Sequence, residues 1–584
     1  MKSVIYCVID AFCYNNLLIK NGDEFVTPFL LRMAENNISF DEVYTIAPYT
    51  EASQVTIIGD ELCLENGGYL FGNGCIDGGF IKYFKEKGYK TIYEYSPYVY
   101  SKGYLCGVDD FFYSRPYSLS PLFNYRFQYY RDKGSSLTKM EIKVCLCLLD
   151  EGLDTWIEQC ERVIKHDESC QFIMSYLPDE KGVKRICKEL KGEKIKLAEQ
   201  KLKYIEELLS EWKEHRLWKL NHEYIDNKVF SLNDYVQNTY GDELAKYQKK
   251  ISRIYRKQLP DLRYIFSQHC NNVNGKSDAI GLFKNYIKIY VRKPLKDYID
   301  GINSNDKPEI SMHNTFSAAF SRIKKYDDQS VPYFLYMQPQ DFHLPSVFHT
   351  FDVDDKALVD NEFKKCFDFL ETLKKYEGNA ISLLSAFFCD YKIEEFYNKC
   401  KRELKNNFIF VITADHGYPS YNNPPRPYTY NQTYTEAFHV PYIIIGSDCK
   451  GVKNTKDIIS NKEANTILKS VLDGENIEIN SHGYVLSEYA GPGCPVITEK
   501  PVWYTYIDKR YRLSVQAMLG EKINRSHVTD IYDLKKDKNE RFNLRKKKEI
   551  DVDYILDIIN KRHSYLSGKF NSENFYKQLL ESID

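Results

Sequence analysis

The chain has 584 residues, enough for a large core and more than one structural unit. Its composition, 43% hydrophobic and 28% charged, is ordinary for a soluble globular protein. A formal net charge of −2 excludes the strong electrostatic footprint of a protein that binds nucleic acid or an anionic membrane surface. Residues 3–9 (S-V-I-Y-C-V-I) are a short β-branched run ending at Asp10, the pattern of a buried parallel strand. Thr27-Pro28 then opens a helix with Phe29, Leu30, Met33 and Ala34 on its apolar face. A second amphipathic segment precedes Gly88-Tyr89, and residues 90–95 read as the next strand.

From about residue 115 to 330 the chain is rich in Lys, Glu, Leu and Tyr, with helical runs such as 184–219 and no chemical motif. The alternation of strand and helix resumes at 331–337 (V-P-Y-F-L-Y-M), which leads into Asp341 and His343. A helical stretch precedes 407–413 (N-F-I-F-V-I-T), which delivers Ala414, Asp415, His416 and Gly417, and 440–445 is a further apolar strand. This order predicts an α/β fold with a largely parallel sheet. Residues 1–114 and 331–448 form the expected catalytic unit, 115–330 a mostly helical insertion, and 449–584 a smaller C-terminal α+β subdomain with a helical tail.

Polar groups thus follow three apolar strands: Asp10, the Asp341/His343 pair and Asp415-His416. Ligands of open α/β sheets bind outside the carboxyl ends of the strands, so these groups converge on one expected site. Asp10, Asp415 and His416 supply two carboxylates and an imidazole, a set suited to Zn²⁺ or Mn²⁺ and less specific for Ca²⁺ or Mg²⁺. Any one of them alone reads as a cap or a strand-end residue.

The motifs carry a family resemblance. T-A-D-H-G at 413–417 and V-I-D-A at 8–11 resemble the metal-binding segments of the sulfatase/alkaline phosphatase superfamily. A-P-Y-T-E-A-S-Q at 47–54 stands where sulfatases carry their nucleophile, with Thr50 in that position. G-Y-K-T at 88–91, G-V-D-D-F-F at 107–112, P-Y-F-L-Y-M at 332–337 followed by His343, and D-I-Y-D-L-K-K-D-K-N-E-R-F-N-L at 530–544 resemble further landmarks, in the family's order. The resemblance implies an alkaline-phosphatase/sulfatase-like sandwich, with Asp10, Thr50, Asp415 and His416 as metal ligands, a second metal site left open, and Thr50 as nucleophile.

The departures redirect the expected chemistry. Sulfatases mature a cysteine or serine to formylglycine within C/S-x-P-x-R. Here Thr50, Ala52 and Gln54 stand in those places, and threonine's methyl would leave a ketone. Ala11 replaces a second aspartate, and Glu94 to Pro97 replace a lysine and a histidine. What remains resembles the threonine branch, in which a hydroxyl activated by a metal attacks phosphorus and forms a phospho-threonine intermediate. The expected function is a metal-dependent phosphoester hydrolase or phosphotransferase. A sulfuric ester hydrolase with an atypical nucleophile and a non-catalytic binding protein are the alternatives.

Thr50, followed by Glu51 and Ser53, also fits a helix N-cap. His343 is expected to bind a substrate oxygen or a second metal, with His439, before Val440-Pro441, and Arg426, in a proline-rich loop, as further substrate-binding candidates. His482 and Glu488 read as loop-shaping residues. The resemblance implies a small-molecule or glycan-linked phosphoester or sulfate ester as the expected substrate. Sixteen cysteines without a C-x-x-C pair fit a reducing compartment. Residues 3–9 are too short for a signal peptide and no stretch reaches the ~20 apolar residues of a membrane span, so a cytoplasmic location is expected.

Overall fold

Ser3–Ile9 is a strand in which every residue is buried. It pairs in parallel with Tyr333–Met337 on one side and Phe408–Ala414 on the other. A strand covered on both faces has no solvent side to encode, which is why it reads as a continuous apolar run. The register sets Ile9 opposite Ala414 and Cys7 opposite Met337, so the three chains emerge side by side as Asp10, Asp415 and Gln338. The computed structural model describes residues 1–65, 79–95, 107–224 except short stretches between 115 and 138, 238–246 except 244, 312–339 with Phe342, 356–372, 380–417, and 434–570 except 447–452, 455–456, 480 and 492–499.

Across the sheet the order is Lys453–Asn454, Ile38–Tyr44, His439–Ile445, Phe408–Ala414, Ser3–Ile9, Tyr333–Met337, Lys90–Tyr95 and Asp110–Tyr113, with Ile459–Ser460 also on Ile38–Tyr44. The pairings are parallel except those of His439–Ile445, which runs antiparallel to both neighbours. Helices Pro28–Asn36, Gly79–Glu86, Met312–Asp328, Ala380–Glu403 and Asn461–Asp473 pack on this sheet in one hydrophobic core. Thr27 does not cap the first of these through its side chain; instead the carboxylate of Asp390 accepts the Phe29 and Leu30 N–H groups at 3.1 and 2.7 Å.

A second, antiparallel sheet of Tyr484–Tyr489, Val502–Asp508, Tyr511–Ala517 and Val528–Asp533 is joined by helix Asp553–Phe570. Its core takes in Tyr44, Tyr49, Ala52, Ala437 and Phe438 from around the ends of the main sheet. Helices Lys139–Ile164, Glu180–Glu199 and Lys201–Ser210 surround a third core built on Trp156 and Tyr224. Gln200 breaks the helical run that the sequence shows there as continuous. The fold is therefore mixed α/β with a mostly parallel central sheet, many helices and a C-terminal antiparallel sheet. Among the described residues no helix is long and apolar enough to cross a membrane.

Candidate active site at the strand ends

Asp10, Asp415 and His416 come together as the register requires, and their ligand atoms lie within 4.8 Å of one another. All three are buried. Each is held by backbone groups. Asp10 N–H donates to the Pro339 carbonyl at 3.0 Å. Asp415 Oδ1 accepts from the Ala11 N–H at 3.0 Å and from the His416 N–H at 2.8 Å. Ala11 adopts φ 63°, a left-handed conformation uncommon for a residue with a side chain, which turns its N–H toward Asp415.

The imidazole of His416 is oriented by its own loop. Nδ1 lies 2.9 Å from the Gly417 carbonyl. A carbonyl can only accept, so Nδ1 carries a proton and Nε2 is the nitrogen turned to the cluster. Nε2 faces Asp415 Oδ2 at 3.6 Å, Asp10 Oδ1 at 3.7 Å and Thr50 Oγ1 at 3.3 Å. In a serine-protease-type triad the acid would stand at Nδ1 and the nucleophile at Nε2. Here two carboxylates and a hydroxyl gather at one nitrogen. A shared cation would make such a convergence of buried electron-rich atoms favourable. The donor set therefore fits a divalent metal, with two oxygens and one nitrogen of the kind that Zn²⁺ or Mn²⁺ takes.

Thr50 reaches this point as the first residue of helix Thr50–Gly59. The N-cap is Tyr49, in an extended conformation, so the capping role that the sequence allows for Thr50 is not the one it takes. Thr50 is half-buried while the rest of its helix is almost wholly buried, so its hydroxyl keeps access on a fixed support. A helix N-terminus also favours an anion, through unpaired N–H groups and the dipole.

Gly417 is the residue that keeps the loop in place. A Cβ there would meet the Glu436 carbonyl oxygen at 1.8 Å and Cys13 Cβ at 2.8 Å. Its N–H donates to the Ala437 carbonyl at 2.9 Å.

A polar network behind Asp415 was not singled out from the sequence. Gln338 Nε2 donates to Asp415 Oδ2 at 3.0 Å, and the Gln338 N–H donates to Glu94 Oε2 at 2.7 Å. Gln338 Oε1 accepts from Tyr336 at 3.2 Å and from Gln54, one turn after Thr50. Burial first, then Tyr93 and Asp415, pushes the Tyr336 phenol well above its usual range, which keeps it a donor. Glu94 also accepts from Ser114 at 2.5 Å and Thr315 at 2.9 Å. The available signal was a glutamine directly after a wholly apolar strand.

His439 lies elsewhere. Its ring stacks between Tyr14 and Tyr44, with centroids 4.5 and 4.7 Å away, and Nε2 lies 2.6 Å from the Asp41 carbonyl. Burial holds its pKa below the ordinary histidine value. None of these contacts belongs to the cluster. His343, Asp341 and Arg426 lie outside the described residues. Glu488 is buried and takes a two-pronged bond from Arg562, at 2.7 and 2.8 Å.

Against known proteins, a family model described as Sulfatase matches residues 230–473. That range includes Asp415 and His416 and excludes Asp10 and Thr50. The match covers less than half of the chain. Comparison with curated proteins gives no match. Among solved structures, the chain is similar to a phosphonate monoester hydrolase from Silicibacter pomeroyi, with 11% identity, a TM-score of 0.46, and 98% of this chain and 96% of that chain covered. It is similar to the lipoteichoic acid synthase LtaP from Listeria monocytogenes, with 10% identity, a TM-score of 0.43, and 98% and 92% covered. A 2-O GAG sulfatase gives 11% identity, a TM-score of 0.43, and 98% and 93% covered.

Proposed function

We propose that the chain is a metal-dependent phosphoester hydrolase or phosphotransferase in which Thr50 is the nucleophile. The observation that carries this reading is the approach of Thr50 Oγ1 to His416 Nε2, 3.3 Å, at a point shared with Asp10 and Asp415. Asp10, Asp415, His416 and Thr50 would hold a divalent ion, which would supply Lewis acidity there, lowering the hydroxyl pKa and offsetting charge on the phosphoryl oxygens. Thr50 Oγ1 forms the new bond to phosphorus as the ester's alcohol leaves with the bonding pair. Water, or an acceptor hydroxyl, then takes the group and returns the threonine hydroxyl. The start of helix Thr50–Gly59 steadies the anionic substrate, and the Gly417 carbonyl holds His416 in one tautomer. A small-molecule or glycan-linked ester is the proposed substrate, with Arg426 and His343 retained as candidates for contacting it.

Thr50 favours phosphorus over sulfur, since it cannot give the formylglycine aldehyde, and Gln54 stands in place of the arginine of that motif. The Sulfatase match keeps a sulfuric ester hydrolase as the second reading. Turnover of p-nitrophenyl phosphate, its diester and p-nitrophenyl sulfate separates the two. Intact-protein mass after incubation with phosphoesters tests the mechanism. An adduct of phosphate size or larger is expected in the native chain and absent in Thr50→Ala, with turnover lower by on the order of 10³-fold or more. Phosphoester turnover unchanged in Thr50→Ala would sink the proposal.

A further inference from the structure

Far along the sequence from the cluster, Arg512 and Glu540 form a buried ion pair in the C-terminal sheet region. Arg512 is 0% exposed and Glu540 2%. The guanidinium donates to Glu540, to Asp530, and to Ser514 Oγ at 2.9 Å. Glu540 has a second set of partners in the short turn Thr435–Phe438. Its carboxylate accepts the Thr435 N–H at 3.1 Å and the Thr435 hydroxyl at 2.9 Å. Glu540 itself sits at φ 48°, a left-handed conformation that a non-glycine residue keeps only where its surroundings over-determine it.

The other side of that turn touches both arms of the candidate site. The Ala437 carbonyl accepts the N–H of Gly417, the residue after His416, and the Glu436 carbonyl occupies the space that a Gly417 Cβ would need. The Phe438 carbonyl accepts the N–H of Thr45 at 2.7 Å, at the head of the segment that runs to Thr50. The C-terminal sheet grips this second arm again, through the Glu488 N–H on the Ile46 carbonyl at 2.9 Å and the Ser487 hydroxyl on the Thr45 carbonyl at 2.8 Å.

We infer that the buried Arg512–Glu540 pair positions the candidate site: it fixes the turn Thr435–Phe438, and through that turn it sets the loop of His416 against the approach to Thr50. This rests on the function proposed above. The charges are fixed in the interior, so they hold the turn by short, directional bonds that water cannot replace. A sub-ångström shift of the turn passes to Gly417 at once, because the backbone contact there leaves no slack. Glu540 and Arg512 are positioning residues, since no contact brings them to the cluster itself.

The test compares Glu540→Gln with the native full-length chain. Gln keeps the shape but turns one acceptor into a donor facing Thr435 or Arg512. The readouts are Mn²⁺ affinity by titration, kcat and KM for p-nitrophenyl phosphate, and hydrogen exchange of peptides covering 45–50 and 414–417. The expected result is a cooperative melt, Mn²⁺ affinity and kcat each lower by about 10-fold, a nearly unchanged KM, and faster exchange in both peptides but not in helix Glu180–Glu199. Native exchange and native Mn²⁺ affinity in a folded Glu540→Gln overturn the inference. Should that variant fail to fold, Thr435→Val removes only the hydroxyl bond; unchanged exchange and affinity in it overturn the inference equally. If the native chain itself takes no Mn²⁺ and turns over no phosphoester, the proposed function falls, and exchange at 45–50 and 414–417 alone decides the positioning role.

Discussion

The main sheet and the helical unit of residues 113–224 differ in where their ion pairs lie. At the strand ends, charged groups are buried and meet partners hundreds of residues away, as His416 meets Thr50 and Asp415 meets Ala11. In the helical unit ion pairs lie at the surface, as Arg185, with its side chain 50% exposed, meets Glu189 and Glu223, while Gln159, Glu193 and Asn221 are buried and bonded inside. The helical unit keeps an apolar core and a solvated charged surface, the arrangement of a part whose polar groups serve solubility. Buried polar groups carry a desolvation cost unless they are fully partnered. Their concentration at one edge of the central sheet is the physical signature of a site.

The contrast predicts a graded set of responses. The largest belongs to Arg512→Met, which leaves Glu540 and Asp530 without their buried counter-charge; a loss of about 3–5 kcal/mol in denaturant unfolding is expected. A cost below about 1 kcal/mol would break the distinction between the two regions.

Asp390 gives a pH test. Burial raises its pKa to about 7 against the opposing Leu30 and Phe29 N–H bonds. The folded chain then holds a proton that the unfolded chain has released, so this group's contribution falls as pH rises from about 4 to about 7. Urea melts at pH 5 and pH 8 should differ on the order of 2 kcal/mol less in Asp390→Asn than in the native chain. An equal pH dependence in both would place the raised pKa in doubt.

Gln338→Leu removes the donor to Asp415 Oδ2 and leaves the fold's apolar strand intact. Mn²⁺ or Zn²⁺ affinity should fall by about 10-fold, with a stability loss of about 1–2 kcal/mol because Tyr336 and Gln54 lose their buried acceptor. At the bottom of the scale, Arg185→Ala should cost about 0.5 kcal/mol and leave metal affinity unchanged. A larger effect on the site would mean that the helical unit participates in it.

The legible part of this molecule was local. Apolar runs ending in polar residues located Ser3–Ile9, Tyr333–Met337 and Phe408–Ala414, because strands buried on both faces admit little else. The groups directly after those strands, Asp10 and Asp415-His416, could be placed together for the same reason. What stayed illegible depended on distant partners. The antiparallel direction of His439–Ile445 is set by pairing, which its composition does not encode. The cap on Phe29 and Leu30 comes from Asp390, far along the chain, while Thr27 at the expected cap bonds the Leu17 carbonyl instead. Gln338 looks like any loop glutamine until Asp415 and Gln54 are beside it. His439 carried a plausible motif position, yet two tyrosines and a carbonyl take its ring.

The hydrogen bond from Gly417 N–H to the Ala437 carbonyl ties off the chain between them like the neck of a bag. Once the neck is closed from outside, by Arg512 and Glu540, the contents need not conform to any one length. Loop closure grows only logarithmically costlier with added residues, about 0.6 kcal/mol for each doubling. A change in chain length between Gly417 and Ala437 is therefore expected to leave the contacts of His416 with Gly417 and of Gly417 with Ala437 as they are.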